Sequence, residues 1–214
     1  TDAQRHFAGP TRPVEELYDC QTDPQNLNNL ARSRKHRNVL DRLRAEHIRH
    51  ITDTADLGFL PESEAWKLFD KHTGWELGQA GRVPLDSIHQ AAAQVGLASE
   101  REFLSYLESA NPTIRYWGAI GLAVRPKISG LAKRTLRRKL NDPSMAARIE
   151  MANSLATHGD LDNALPPLMN ATQHENLIVV THAVRTIELL GVRAAGAKNA
   201  MALTLRRANK IRPP

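Results

Sequence analysis

Four groups of residues have the types and spacing that chemistry requires, and each also has a plainer structural reading. Cys20 is the single cysteine of the 214-residue chain. A thiolate nucleophile needs an electropositive, accessible setting, and the favoured reading is a buried strand residue instead. His36, His47 and His50 lie close in sequence, and His47 and His50, three apart, share a helix face. No further His, Cys or acidic ligand completes a set at a known metal spacing, so no metal is assigned. Asp53 and Asp56 offer the hard oxygens that calcium takes, but two loop carboxylates read better as caps or solvated groups. The fourth group is a basic block over 125–140, with Arg125, Lys127, Lys133, Arg134, Arg137, Arg138 and Lys139 and no acid. It could meet a sulfated polysaccharide or nucleic acid through its charge, against the plainer reading of a solvated outer helix face. No catalytic, cofactor-binding or metal-ligating residue is assigned anywhere in the chain.

The composition points to helices as the elements that position these groups. Hydrophobic residues make up 41% and charged residues 24% of the chain, with only 5% aromatic, which suits a globular fold of one or two domains. The apolar share is mostly Ala and Leu, strong helix formers that let helices approach closely. No run of about 18 apolar residues is present, so no membrane span is expected. The opening Thr1-Asp2-Ala3-Gln4 is neither an initiator Met nor a signal peptide, and the chain reads as a fragment or processed product with any export signal upstream. Net charge is +6, but it alternates: −3 over 1–31, +5 over 32–50, −5 over 51–124, +7 over 125–140, −4 over 141–192 and +6 over 193–214. A nucleic-acid-binding helical array should line one face with Lys and Arg, so the acidic blocks count against that partner.

Three regions follow. Residues 1–50 open with a segment punctuated by Pro10, Pro13 and Pro24, which disfavour a long helix. Val14 to Cys20 is the one strand candidate, and an isolated strand needs a sheet to pair its backbone. Asp23-Pro24 reads as a turn. A helix is expected over 33–51, with Val39, Leu40, Leu43, Ile48 and Ile51 on one face. Residues 51–84 read as a docked linker with a short helix near 63–69, held down by Trp66, Phe69 and Trp75, since large aromatics bury much area.

From residue 85 the chain is helical and repetitive. The stretches beginning at Ile114, Ala147 and Val179 each start apolar, carry small or apolar residues at their fifth and sixth places, and have Leu or Ile at the ninth. The starts are 33 and 32 residues apart, the signature of a stacked repeat. Turn signals precede them at Asn111-Pro112, Asn141-Asp142-Pro143 and His174-Glu175-Asn176. First helices are expected over 99–109, 128–140 and 161–173, an entering helix over 85–97 and a closing one over 194–208. The pattern resembles HEAT repeats, whose second helix shows an apolar residue, Arg and then two small residues. Ile114-Arg115 and Ala147-Arg148 match, whereas the third stretch has Val180 in place of Arg, which leaves that inter-repeat contact open.

A sharper resemblance sits at 12–31, which read R-P-V-E-E-L-Y-D-C-Q-T-D-P-Q-N-L-N-N-L-A. This is similar to the segment near the end of sulfatases, where P-x-E-E-L-Y-D-L-x-x-D-P-x-E-x-x-N-L-A is typical. Glu16, Leu17, Tyr18, Asp19, Asp23, Pro24, Asn29, Leu30 and Ala31 match, while Cys20 stands where Leu is usual. The resemblance implies the last strand and turn of a small antiparallel subdomain, followed by a helix. Asp56-Leu57-Gly58-Phe59-Leu60-Pro61-Glu62 is similar to a connector in bacterial sulfatases with a C-terminal helical extension. The family hydrolyses sulfate esters with a formylglycine made from Cys or Ser in a C/S-x-P-x-R context, beside a metal, usually calcium. No C/S-x-P-x-R occurs in this sequence, so the resemblance implies a hydrolase portion inactive by itself, its calcium and its partner catalytic domain lying outside this stretch. It also implies export or a periplasmic location.

The expectation is therefore a mainly α fold: residues 1–50 ending a sulfatase C-terminal subdomain, 51–84 a docked linker and 85–214 a HEAT-like α-solenoid serving interaction or substrate access. A stand-alone helical-repeat scaffold that binds a protein partner is the alternative, and a nucleic-acid-binding solenoid ranks behind it.

Overall fold

The computed structural model describes residues 7–9, 12–69 and 71–211. Pro10 lies outside the described residues. The chain is mainly helical, with no strand among the described residues. It divides into two compact units, Thr1–Thr54 and Ala55–Pro214.

In the first unit the expected strand does not form. Residues 14–18 run without regular structure, and a side chain does much of a partner strand's work. Asn29 Oδ1 accepts from Leu17 N at 3.0 Å and Ala31 N at 2.9 Å, while its Nδ2 donates to the Glu15 carbonyl at 3.0 Å. Leu30 N donates to the Leu17 carbonyl at 2.7 Å. Backbone pairing is thus met locally, within the same short segment, where a ladder would need a second strand. Leu17 is buried while Glu16 and Tyr18 stay half-exposed, as alternation along an extended segment requires. The Asp23 carboxylate closes the turn by accepting from Leu27 N (3.1 Å) and Asn28 N (2.7 Å). A 3-10 turn, Arg34–His36, leads into α1, Arg37–Asp53. Only Leu40 and Ile51 of the expected apolar face are buried; Val39, Leu43 and Ile48 are exposed within this unit.

The second unit begins with α2 (Glu62–Phe69), α3 (Gly74–Gln79) and α4 (Leu85–Ala93). Of the three expected anchors only Phe69 is half-buried, its ring 5.8 Å from that of Trp66. Trp66 and Trp75 are 54% and 73% exposed. Phe59 takes the role instead: its ring lies 4.6 Å from that of His89, and its carbonyl accepts from Trp117 Nε1 at 3.0 Å. Ser144 Oγ donates to Glu64 Oε1 at 2.8 Å. Short amphipathic helices with two or three outward aromatics do not reveal from spacing alone which ring faces in.

The remaining helices are α5 (Glu100–Tyr106), α6 (Pro112–Ala123), α7 (Gly130–Arg138), α8 (Met145–Thr157), α9 (Leu161–Ala171), α10 (Leu177–Leu190) and α11 (Lys198–Ile211), the last preceded by a 3-10 stretch, Gly191–Ala197. Each helix of the α6, α8, α10 series is capped by a side chain one residue before it: Asn111 Oδ1, Ser144 Oγ and Asn176 Oδ1 accept from the first-turn N–H groups, satisfying donors that have no helical partner. Helix α6 packs on α8, α8 on α10, and α5, α7 and α9 on the same series. The core runs between them through Phe103, Leu107, Leu122, Leu136, Ile149, Met151, Leu155 and Leu168, each no more than 1% exposed. Alanines 119, 132, 147, 152, 156, 164, 171 and 183 are fully buried among them, which is what permits close helix approach. A Cβ on Gly121 would sit 2.2 Å from the Phe103 ring, so a glycine there makes room for the largest core side chain.

Guanidinium groups close the turns before α6, α8 and α10. Arg115 Nη1 donates to the Ser109 and Ala110 carbonyls at 2.9 and 3.0 Å, and its Nε and Nη2 bind both oxygens of Asp142 at 2.7 and 2.8 Å. Arg148 donates twice to the Asp142 carbonyl, at 3.0 and 2.6 Å. Val180 leaves the third turn without a guanidinium of its own, and Arg207 from α11 reaches back to fill the gap, donating from Nη1 to the Gln173 and His174 carbonyls at 3.1 and 2.9 Å.

Candidate functional site

The residues singled out in the sequence do not converge. Cys20 is exposed in a turn, not buried in a strand, because the segment before it never enters a sheet; its Sγ lies 3.7 Å from Asn26 Oδ1. His36 Nδ1 is bonded to Ser33 Oγ at 2.9 Å, while His47 and His50 are exposed on α1. Among the described residues no three His, Cys, Asp or Glu side chains form a metal-ion cluster. Asp53 pairs with Arg49 at 2.7 Å, and Asp56 Oδ1 accepts from Gly58 N at 2.8 Å, which closes the linker's first turn.

Much of the basic block is spent inside the fold. Arg125 donates to the Ala98 carbonyl at 2.9 Å and Lys133 to that of His158 at 2.7 Å. Arg137 pairs with Asp160, and Arg138 and Lys139 with Glu108. Burial alone would raise the Asp160 carboxyl, but its bonds from Arg137 and Asn163 hold it below the usual range. Glu108 is lowered chiefly by the hydrogen bond from Lys139. Lys127 and Arg134 are the cations of the block without such a partner among the described residues. A polyanion could use these two directly but would have to break ion pairs to engage the rest of the block, which weakens any backbone-phosphate reading.

A different group of residues meets in a cleft of about 290 Å³ between the first turn of α2 and helix α10. At its floor, His182 Nε2 is bonded to Glu150 Oε1 at 2.7 Å, and Asn153 Nδ2 donates to the other Glu150 oxygen at 2.9 Å. The Tyr116 ring stands edge-on to His182, with centroids 6.2 Å apart. Its phenol is pushed up to about 12, first by burial and then by the Glu150 charge, so it keeps its proton at neutral pH. Ser63, Thr181 and Arg185 line the rest of the wall. Sequence reading passed these residues over because they are far apart in the chain. The spacing of the similar stretches held the signal: Glu150 and His182 both occupy the fourth place of their stretches, 32 residues apart, and the packing of α8 on α10 brings them together.

Comparison with known proteins gives one partial match. A stretch of 63 residues, 29% of this chain, is 41% identical to 11% of an ulvan-active sulfatase from Formosa agariphila. The matched stretch thus spans about a tenth of that relative's length. No family model matches the chain. No solved structure matches it either.

Proposed function

We propose that this chain is a sulfatase-related segment, a C-terminal part of a sulfuric ester hydrolase whose catalytic machinery lies outside these 214 residues. The partial likeness to a sulfatase carries the reading. The 12–31 segment supports it: it is built as a joint, with Asn29, Asp23 and Leu17 all engaged in holding a turn and none presenting a reactive atom. The helices from residue 85 onward act in this reading as a HEAT-like repeat array. They would shape substrate access or hold a partner, with calcium and the formylglycine belonging to the missing domain and export following from the family.

A free-standing helical-repeat scaffold is the second reading, favoured by the distinct unit from Ala55 onward. The upstream reading frame discriminates between them. A C/S-x-P-x-R motif a few hundred residues before Thr1 is expected; an upstream frame without one would overturn the sulfatase proposal. Retention on heparin that collapses with modest salt, with duplex DNA binding near micromolar, would favour a nucleic-acid function instead.

A further inference from the structure

We infer that the cleft between α2 and α10 is a binding site for a small ligand bearing an oxyanion. Unspent hydrogen-bond donors point to it. Ser63 is only 4% exposed, lines the cleft, and its hydroxyl has no hydrogen-bond partner among the described residues. That hydroxyl opens onto the cleft, where a ligand oxygen can accept from it. Ser63 also lies in the first turn of α2, where Glu64 N and Ala65 N bond back to the Pro61 carbonyl while the N–H groups of Glu62 and Ser63 have no helical acceptor. The helix dipole adds positive potential at the same place. The Tyr116 hydroxyl makes no hydrogen bond among the described residues, and Arg185 stands at the rim.

The carboxylates near this wall are already engaged. Glu150 is held by His182 and Asn153, Glu188 by Arg185 at 2.8 Å, and Glu62 faces the Trp66 indole N–H at 3.4 Å. The Ser63 and Tyr116 hydroxyls and the first-turn N–H groups remain to donate to an acceptor-only group. A volume of about 290 Å³ sits at the low end for small-molecule sites, so the ligand is a single small unit and not an extended polymer. Glu150 holds the His182 ring in place through Nε2, which makes that ring a fixed wall of the cleft. This inference is independent of the sulfatase reading, since it uses only the second unit's own residues.

The test is an amide NMR titration of the whole chain with sodium sulfate and, separately, sodium acetate, against chloride at matched ionic strength. Saturable shifts at Glu62, Ser63 and His182 are expected with at least one of the two, and the tighter one identifies the charged group as tetrahedral or planar. Ser63→Ala and Arg185→Gln should each weaken that binding at least tenfold, with spectra otherwise unchanged. No saturable shift with either anion would overturn the inference, as would shifts that survive both substitutions undiminished.

Discussion

Asn29 and Arg115 hold together backbone that no regular element would otherwise pair. Asn29 spends both ends of its amide on the chain, accepting from Leu17 N and Ala31 N and donating to the Glu15 carbonyl. Replacing it with Ala strips three partners at once from half-buried groups, and each bond is worth about 1 kcal/mol net. Asn29→Ala should therefore loosen the first unit by about 1–3 kcal/mol, read as faster hydrogen exchange at Leu17 and Ala31; unchanged exchange would show that water replaces the amide without loss. Arg115 is more deeply committed, its side chain 11% exposed and that of Asp142 only 6%. Arg115→Met keeps the packing stem but leaves the Asp142 carboxylate buried without its cation. Breaking a buried pair by one partner costs about 3–5 kcal/mol, so the urea midpoint should fall steeply. The double change with Asp142→Asn should recover part of that loss, because the uncompensated charge is then gone.

At the scale of elements, helix boundaries followed the caps. Asn111, Ser144 and Asn176 mark the starts of α6, α8 and α10, and all three lie in or beside the turn signals visible in the sequence. The closing helix, expected over 194–208, forms as a 3-10 stretch and then α11, Lys198–Ile211. The break follows Gly191, whose φ of 59° ends α10 in a conformation that L side chains rarely adopt. Arg207 ties α11 to the turn before α10. Arg207→Ala should open α11 locally by about 1–3 kcal/mol, the range for hydrogen bonds from a charged donor. Hydrogen exchange confined to 198–211 would register it, while equal effects throughout the second unit would contradict a local role. The missing strand belongs at this scale too. Val14 to Cys20 has strand-tolerant residues, yet a strand is defined by its neighbour, and here Asn29 and Leu30 supply what pairing there is.

For the whole molecule, charge is organised as pairs more than as a surface of one sign. Glu15, Glu108 and Asp160 all have their carboxyls lowered, Glu15 mainly by its hydrogen bond from Arg44. A carboxyl lowered in the folded state stabilises the protein above its unfolded value, about 4 for Asp and Glu, and that contribution disappears as pH falls through the folded value. Stability in urea should thus be flat from neutral pH down to about 5 and drop below about 4. The Asp160 pair should matter most, since the Asp160 side chain is 8% exposed against 33% for Glu15 and 58% for Glu108, and solvent screens exposed pairs to well under about 1 kcal/mol. Loss of the acid step in Asp160→Asn would confirm the assignment; an unchanged profile would refute it. Among the described residues no helix is long and apolar enough to cross a membrane.

Local chemistry settled what could be read in advance: Ala- and Leu-rich composition made the chain helical, Asn and Pro marked the turns before the helix starts, and a spacing of 33 and 32 residues picked out α6, α8 and α10. These are properties of consecutive residues, so the sequence alone determines them. Which aromatic anchors the linker, whether Cys20 is buried, which cations remain free for a partner, and that Ser63, Tyr116 and His182 share one cleft were decided only by the tertiary structure. Each depends on a neighbour tens of residues away, and packing chooses among side chains that one helical turn presents equally well.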